Sequence, residues 1–151
     1  MDFPTIISLA ESEIDLKDLF TQITLPTTGA VVFFTGAVRE QTVLTGQKTD
    51  FLEYEAYPPM ALSKMQQVAD EIREKWPAVE GIAIIQRLGR LAPGEPTTVI
   101  ACSSAHRNTG VFEAAKYGID RLKEIVPIWK KSIGSNGEGW IEGGYHPESG
   151  E

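Results

Sequence analysis

The sequence predicts an α+β fold, with a mixed or antiparallel sheet packed against about three helices. Three observations lead there. Apolar, β-branched segments occur in adjacent pairs, as in "GIAIIQRLGRL" followed by "TTVIACSSA". Helical periodicity falls in separate stretches between them. Strands and helices do not alternate strictly, so a doubly wound parallel sheet is disfavoured. No internal repeat, low-complexity tract or linker is visible, and 151 residues suit one domain spanning 1–151.

The elements follow in order. "FPTIISL" is a short β-rich start. "DLKDLFTQI" sets Leu16, Leu19, Phe20 and Ile23 at helical spacing, with Asp15 as N-cap. "AVVFFTGAV" is too apolar and β-branched for an exposed helix and reads as a buried strand. "REQTVLTGQKTD" is polar and turn-rich, a mobile loop. "FLEYEAY" alternates Leu52, Tyr54 and Ala56 with Glu53 and Glu55, a strand with one wet face.

Pro58-Pro59 opens a second helix. Its stripe is Leu62, Met65, Ala69, Ile72 and Trp76, and Pro77 stops it. The two strands named above come next, joined by the turn "APGEP". A third helix follows "HRNTG" and ends before Pro127, because the residue preceding proline avoids the helical region. "WKKSIGSNGEGWIEG" reads as two extended pieces around a glycine-rich turn, and Trp129 is expected to pack in the core.

Composition narrows function. Fourteen basic against 21 acidic residues give a net charge of -7. That argues against nucleic-acid and anionic-membrane binding, both of which need a positive field. A chain of this size buries roughly 68–70% of its unfolded surface, enough for a stable core. The N-terminus lacks a basic n-region and long apolar h-region, and no apolar run nears ~20 residues. The expectation is a soluble, cytoplasmic protein. Cys102 is the single cysteine, so no intrachain disulfide forms; it is expected to lie buried and inert in its strand. Only His106 and His146 are present, with no paired metal-ligand spacing, and neither "GxxxxGK[ST]" nor a strand-linked "GxGxxG" occurs. No metal or cofactor is expected.

Against the acidic background, "LKEIVPIWKKS" gathers Lys123, Lys130 and Lys131 around Pro127 and Trp129. On a wheel of ~100° per residue, Val111, Phe112, Ala115, Ile119, Leu122 and Val126 form the core face of the third helix, while Glu113, Asp120 and Glu124 face water. Lys123 sits at the margin of the apolar stripe. Two readings are open. Its stem can snorkel over apolar surface with the ammonium in water. Alternatively it lines a pocket wall, where desolvation lowers its pKa and suits it to proton transfer or nucleophilic attack.

"SSAHRNTG" feeds the same helix, whose N-terminal N–H groups and dipole attract an anion. His106 and Arg107 sit beside that spot, and Arg39 follows an earlier strand in "FFTGAVRE". Arginine can grip phosphate or carboxylate in a bidentate fashion. The bland alternatives are a hydrogen-bonded histidine, a solvated loop arginine and an exposed strand-end arginine.

In order along the chain, "FTGAVRE", "LEYEAYPPMA", "IREKWP", "QRLGRL", "SSAHR" and "VPIWKKS" together resemble the large, catalytic subunit of molybdopterin synthase. The match runs from about Gly29 to Glu142. It implies an α/β hammerhead fold. It also implies an activity: adding two sulfurs to cyclic pyranopterin monophosphate to form the molybdopterin dithiolene. The implied sulfur donor is the C-terminal thiocarboxylate of a small ubiquitin-like partner ending in Gly-Gly. Large subunits would form a homodimer at the centre of a heterotetramer.

Carried over by position, the catalytic lysines are Lys123 and Lys130, and the substrate-binding residues are Arg39, His106 and Arg107. Their neighbours Ala37, Val38, Lys131 and Ser132 join the binding set. Gln86 stands where the family often has histidine, Ser132 where an acid is frequent, and Ala37 where some members have lysine. The loop after Arg39 departs from the family's asparagine-containing pattern. Gly143-Gly144 is not terminal, so this chain is not expected to be the tail donor.

The implied chemistry explains the cations. A cyclic phosphate and a thiocarboxylate repel each other by about 4 kcal/mol at ~4 Å and an effective dielectric near 20. Fixed positive charges offset that repulsion, stabilise an oxyanion and relay protons. "GSNGEGWIEG" would accept the partner's tail by strand addition. A competing reading is a non-catalytic docking protein for a ubiquitin-like tail or a phosphorylated ligand.

Overall fold

The computed structural model describes residues 2–41, 46, 48–134 and 137–141. The element order is β1 (Thr5–Ala10), α1 (Leu16–Ile23), β2 (Ala30–Ala37), β3 (Phe51–Ala56), α2 (Pro58–Lys75), β4 (Val79–Arg87), β5 (Gly89–Leu91), β6 (Pro96–Ser104), α3 (Val111–Ile125), β7 (Ile128–Gly134) and β8 (Gly137–Ile141). The α+β expectation holds.

Two four-stranded sheets form, ordered β1-β4-β6-β2 and β5-β3-β7-β8. In the first, β1 runs parallel to β4, while β6 is antiparallel to both β4 and β2. The second is antiparallel throughout. "GIAIIQRLGRL" is therefore not one strand. It breaks after Arg87, and Gly89, at φ 90, redirects the chain into the second sheet.

Helices cover both faces of the first sheet. Helices α2 and α3 bury Met65, Val68, Ile72, Val111, Leu122 and Ile125 against Ile82, Ile84, Ile100 and Cys102. On the other face α1 sets Leu19 and Ile23 against Ala83, Ile85, Val99 and Ala101. The entirely buried β4 reads as a continuous apolar run for this reason. Asp15 caps α1 as expected, accepting from the Asp18 N–H at 3.0 Å. Pro58 and Pro59 occupy the first turn of α2, where proline's missing N–H costs nothing. A third cluster, Val38, Leu52, Tyr54 and Leu91, fills the space under the second sheet.

Several burial expectations need correction. Strand β2 is an edge strand, only partly buried, and Phe34 is exposed. Phe112 is 58% exposed, because α3 lies over β6 and β2 and, among the described residues, no strand beyond β2 covers its outer side. Leu16, Phe20 and Leu62 sit at the rims of their stripes and are exposed too. Trp129 is 48% exposed rather than core. Successive β7 side chains alternate faces, so Lys130 pointing inward sends Trp129 outward. Cys102 is buried as expected, and burial pushes its thiol up to about 12.

No described helix is long and apolar enough to cross a membrane. In the segment after Arg39, residues 42–45 and 47 lie outside the described residues. Its ends are tied by a Gln41–Lys48 bridge and by the Thr49 N–H donating to the Glu40 carbonyl at 2.8 Å.

Candidate functional site

Three cations gather where the two sheets meet. Lys123 occupies the last turn of α3. The chain leaves the helix through Val126 and Pro127 and enters β7, which carries Lys130. Pro127 enforces this turn, since it cannot continue a helix and restricts the residue before it. Arg39 arrives from β2, two residues past its end.

Their charges act on one another. Burial lowers the pKa of Lys130, and the Arg39 guanidinium lowers it further. Burial likewise lowers the pKa of Lys123, followed by the charge of Lys130. Lys123 is itself exposed, so solvent screens its ammonium. Both readings of Lys123 fit this place: the residue is exposed at the helix end, and the charge of Lys130 acts on its ammonium. Two ammonium groups and a guanidinium that act on one another form a site suited to an anion.

Strand alternation sorts the neighbouring residues. Lys130 is opposite Tyr54 and shares its inward face. Lys131 is opposite Glu53 and lies 3.9 Å from its carboxylate, on the other face. Ser132 points the same way as Lys130, and its Oγ lies 3.1 Å from Thr49 Oγ1, tying the loop after Arg39 to β7. Ala37 is exposed at the end of β2, opposite Pro96. Val38 is buried. Its N–H donates to Glu95, and its carbonyl accepts from Gly94.

His106 and Arg107 are not brought to this cluster. Both are exposed in the turn before α3. Ser104 Oγ and Thr109 Oγ1 donate to the His106 carbonyl at 2.6 and 2.9 Å, fixing the turn while leaving both side chains outward. Gly110, at φ 103, caps α3, and a Cβ there would lie 2.3 Å from Trp76 Cδ1. From Val111 to Lys123 a helix rises about 18 Å, so the His106–Arg107 turn and the lysines occupy opposite ends of α3.

Tyr54 was read from sequence only as a core-facing strand residue. The structure places it beside the cluster, 6% exposed, cross-strand from Lys130 and packed with Val38. Its inward parity was visible; its partner strand was not. A cavity of about 460 Å³ near Arg39 is lined by Glu40, Lys48, Thr49, Asp50 and Phe51 among others, and its two acids to one base make it a poor anion site.

An α+β scaffold that brings two lysines and an arginine within electrostatic reach of one another at a sheet junction defines a protein suited to anionic ligands. A family model described as "MoaE protein" matches residues 9–125, and the chain belongs to that family. It is 48% identical over 126 residues to a molybdopterin synthase catalytic subunit of Staphylococcus carnosus, covering 82% of this chain and 81% of the relative. It is 43% identical over 134 residues to one from Halalkalibacterium halodurans, covering 89% and 83%. Among solved structures, molybdopterin synthase from Staphylococcus aureus superimposes with TM-score 0.80 at 43% identity, covering 93% of this chain and 96% of that one. A MoaE protein from Burkholderia ambifaria does so with TM-score 0.73 at 29% identity, covering 93% and 89%.

Proposed function

We propose that the chain is the catalytic subunit of a cytoplasmic molybdopterin synthase. It would move sulfur from the thiocarboxylate of a small ubiquitin-like partner to cyclic pyranopterin monophosphate. The observation that carries this reading is the meeting of Arg39, Lys123 and Lys130, with both ammonium groups held below the usual lysine pKa. Arg39 would hold the phosphate. The lysines would offset the repulsion between phosphate and thiocarboxylate as the donor's sulfur bonds to a ring carbon, and would stabilise the oxyanion as water then attacks the donor's carbonyl carbon, breaking its bond to sulfur and releasing the donor as a carboxylate. A lysine with a lowered pKa can also accept and return a proton at modest cost, as the donor's carboxylate leaves and the cyclic phosphate opens.

His106 and Arg107 enter this reading through a homodimer. One chain cannot bring both ends of α3 to one substrate, whereas a two-fold partner can present its His106–Arg107 turn to the lysines of the first. The donor's tail would add along β8, which ends the second sheet's strand order. Ser135, Asn136, Glu142 and Gly143, also named for that contact, lie outside the described residues.

The test incubates the chain with thiocarboxylated partner and cyclic pyranopterin monophosphate and reads the product by mass spectrometry. Dithiolene product supports the enzyme. Partner binding without sulfur transfer would leave only a docking protein.

A further inference from the structure

Tyr54 is a large polar residue at 6% exposure whose place is fixed on three sides. It lies opposite Lys130 in the β3–β7 register, so the two Cβ atoms stand about 4.5–5.5 Å apart on the same face. Its ring packs with Val38, the residue before Arg39, and with Leu52 and Leu91. Its hydroxyl is turned toward Thr97, itself 6% exposed on β6. Thr97 in turn backs onto the β2 bulge before Arg39, where a Cβ on Gly36 would fall 2.6 Å from Thr97 Oγ1. One phenol thus joins β3, β6 and β7 with the β2 end that delivers Arg39.

We propose that Tyr54, anchored by Thr97, is a positioning residue that holds Lys130 and Arg39 at a common reacting centre. The inference rests on the sulfur-transfer reading above. The ring is the floor along which the Lys130 stem lies, and the hydroxyl stops that floor from swinging. The charge that acts on its phenol is that of Arg39, while that of Lys130 acts on Lys123 from α3. Burial pushes the Tyr54 phenol up, while Thr97 and the charge of Arg39 pull part of that back, so the group stays protonated and serves as an anchor rather than a base.

The test compares Tyr54→Phe, Thr97→Val and the double variant in the complex with thiocarboxylated partner. Rates are measured against pH, alongside thermal unfolding. The Lys130 titration is followed separately by NMR after reductive ¹³C-methylation of the lysines. Tyr54→Phe should lower kcat about 10-fold with KM changed less than about 2-fold, the pattern of a misplaced reacting group. The Lys130 resonance should titrate at higher pH as its head relaxes toward water.

Each single variant strands one buried hydroxyl and loses stability, and the double variant regains it. A residue that only supports the fold would regain kcat as well; a positioning residue would not. An unmoved Lys130 titration together with kcat within about 2-fold of wild type in Tyr54→Phe would overturn the proposal. A wild-type complex that makes no product at all would instead remove the sulfur-transfer reading, with the Lys130 titration still reporting on Tyr54.

Discussion

Lys130, on β7, lies close enough to Lys123, in the last turn of α3, for its charge to depress that ammonium's pKa. Like charges are kept together only where something else benefits from them, and an anionic reactant is the group that would. Lys123→Ala and Lys130→Ala should each cut product formation by at least ~10²-fold, as expected on losing an acid–base or charge-stabilising group. Circular dichroism should show both variants folded, since neither side chain is part of a buried cluster. Near-normal turnover in both would remove the catalytic assignment.

Arg39 tunes Lys130. Its charge adds to burial in lowering the Lys130 pKa. Replacing it in Arg39→Gln should shift any Lys130-dependent limb of the kcat–pH profile to higher pH. Stability carries the matching sign. With its pKa lowered on folding, Lys130 binds its proton less tightly folded than unfolded. Its penalty is full below the folded pKa and is relieved as pH rises from there to the unfolded value near 10.5. Lys130→Met should therefore raise Tm at neutral pH, by about 2 °C, while abolishing turnover. A lower Tm would show that Lys130 stabilises the fold.

Glu71 clamps α2 and α3, the two helices on one face of the first sheet. It accepts from Arg121 Nε at 2.9 Å, from Gln67 Nε2 at 2.9 Å and from the Tyr117 hydroxyl. Burial pushes its pKa up, but these bonds outweigh burial and hold it at about 2. A depressed carboxylate stabilises the fold above its unfolded pKa near 4.5, and the gain is lost as pH falls toward 2. Glu71→Gln should cost about 2 kcal/mol at pH 7, typical of hydrogen bonds to a charge. The gap from wild type should close between pH 4.5 and 2 in urea titrations.

The separation of His106–Arg107 from the lysines yields a mixing experiment. Lys123→Ala and Arg107→Ala chains, each impaired alone, should regain roughly a quarter of wild-type activity when unfolded together and refolded. Half the dimers are then hybrids, and each hybrid has one intact site. No recovery, with hybrids shown to form by native mass spectrometry, would place both residues in separate functions.

Much of this was legible in the chain itself. Helical spacing located α2 and α3, proline marked their limits, and parity on β3 put Tyr54 inside and Glu53 outside. The tail resolved into two paired strands as its glycine-rich turn implied. Local rules suffice there because caps, turns and periodicity act over a few residues. Burial at element margins was less legible. Phe112, Leu62 and Trp129 sit where apolarity meets a sheet edge or an outward strand face, and only the neighbouring element decides whether such a side chain is covered.

The sequence by itself determined which residues were cationic, that they sat at element ends, and that Lys123 and Lys130 flank a forced turn at Pro127. Only the tertiary structure decided which of them meet. Arg39 joined the two lysines because β2 ends at the junction of the sheets, whereas His106 and Arg107 were carried to the far end of α3. Spacing along a chain fixes direction only as far as one helix or strand persists. Beyond that, distance is set by how the layers pack.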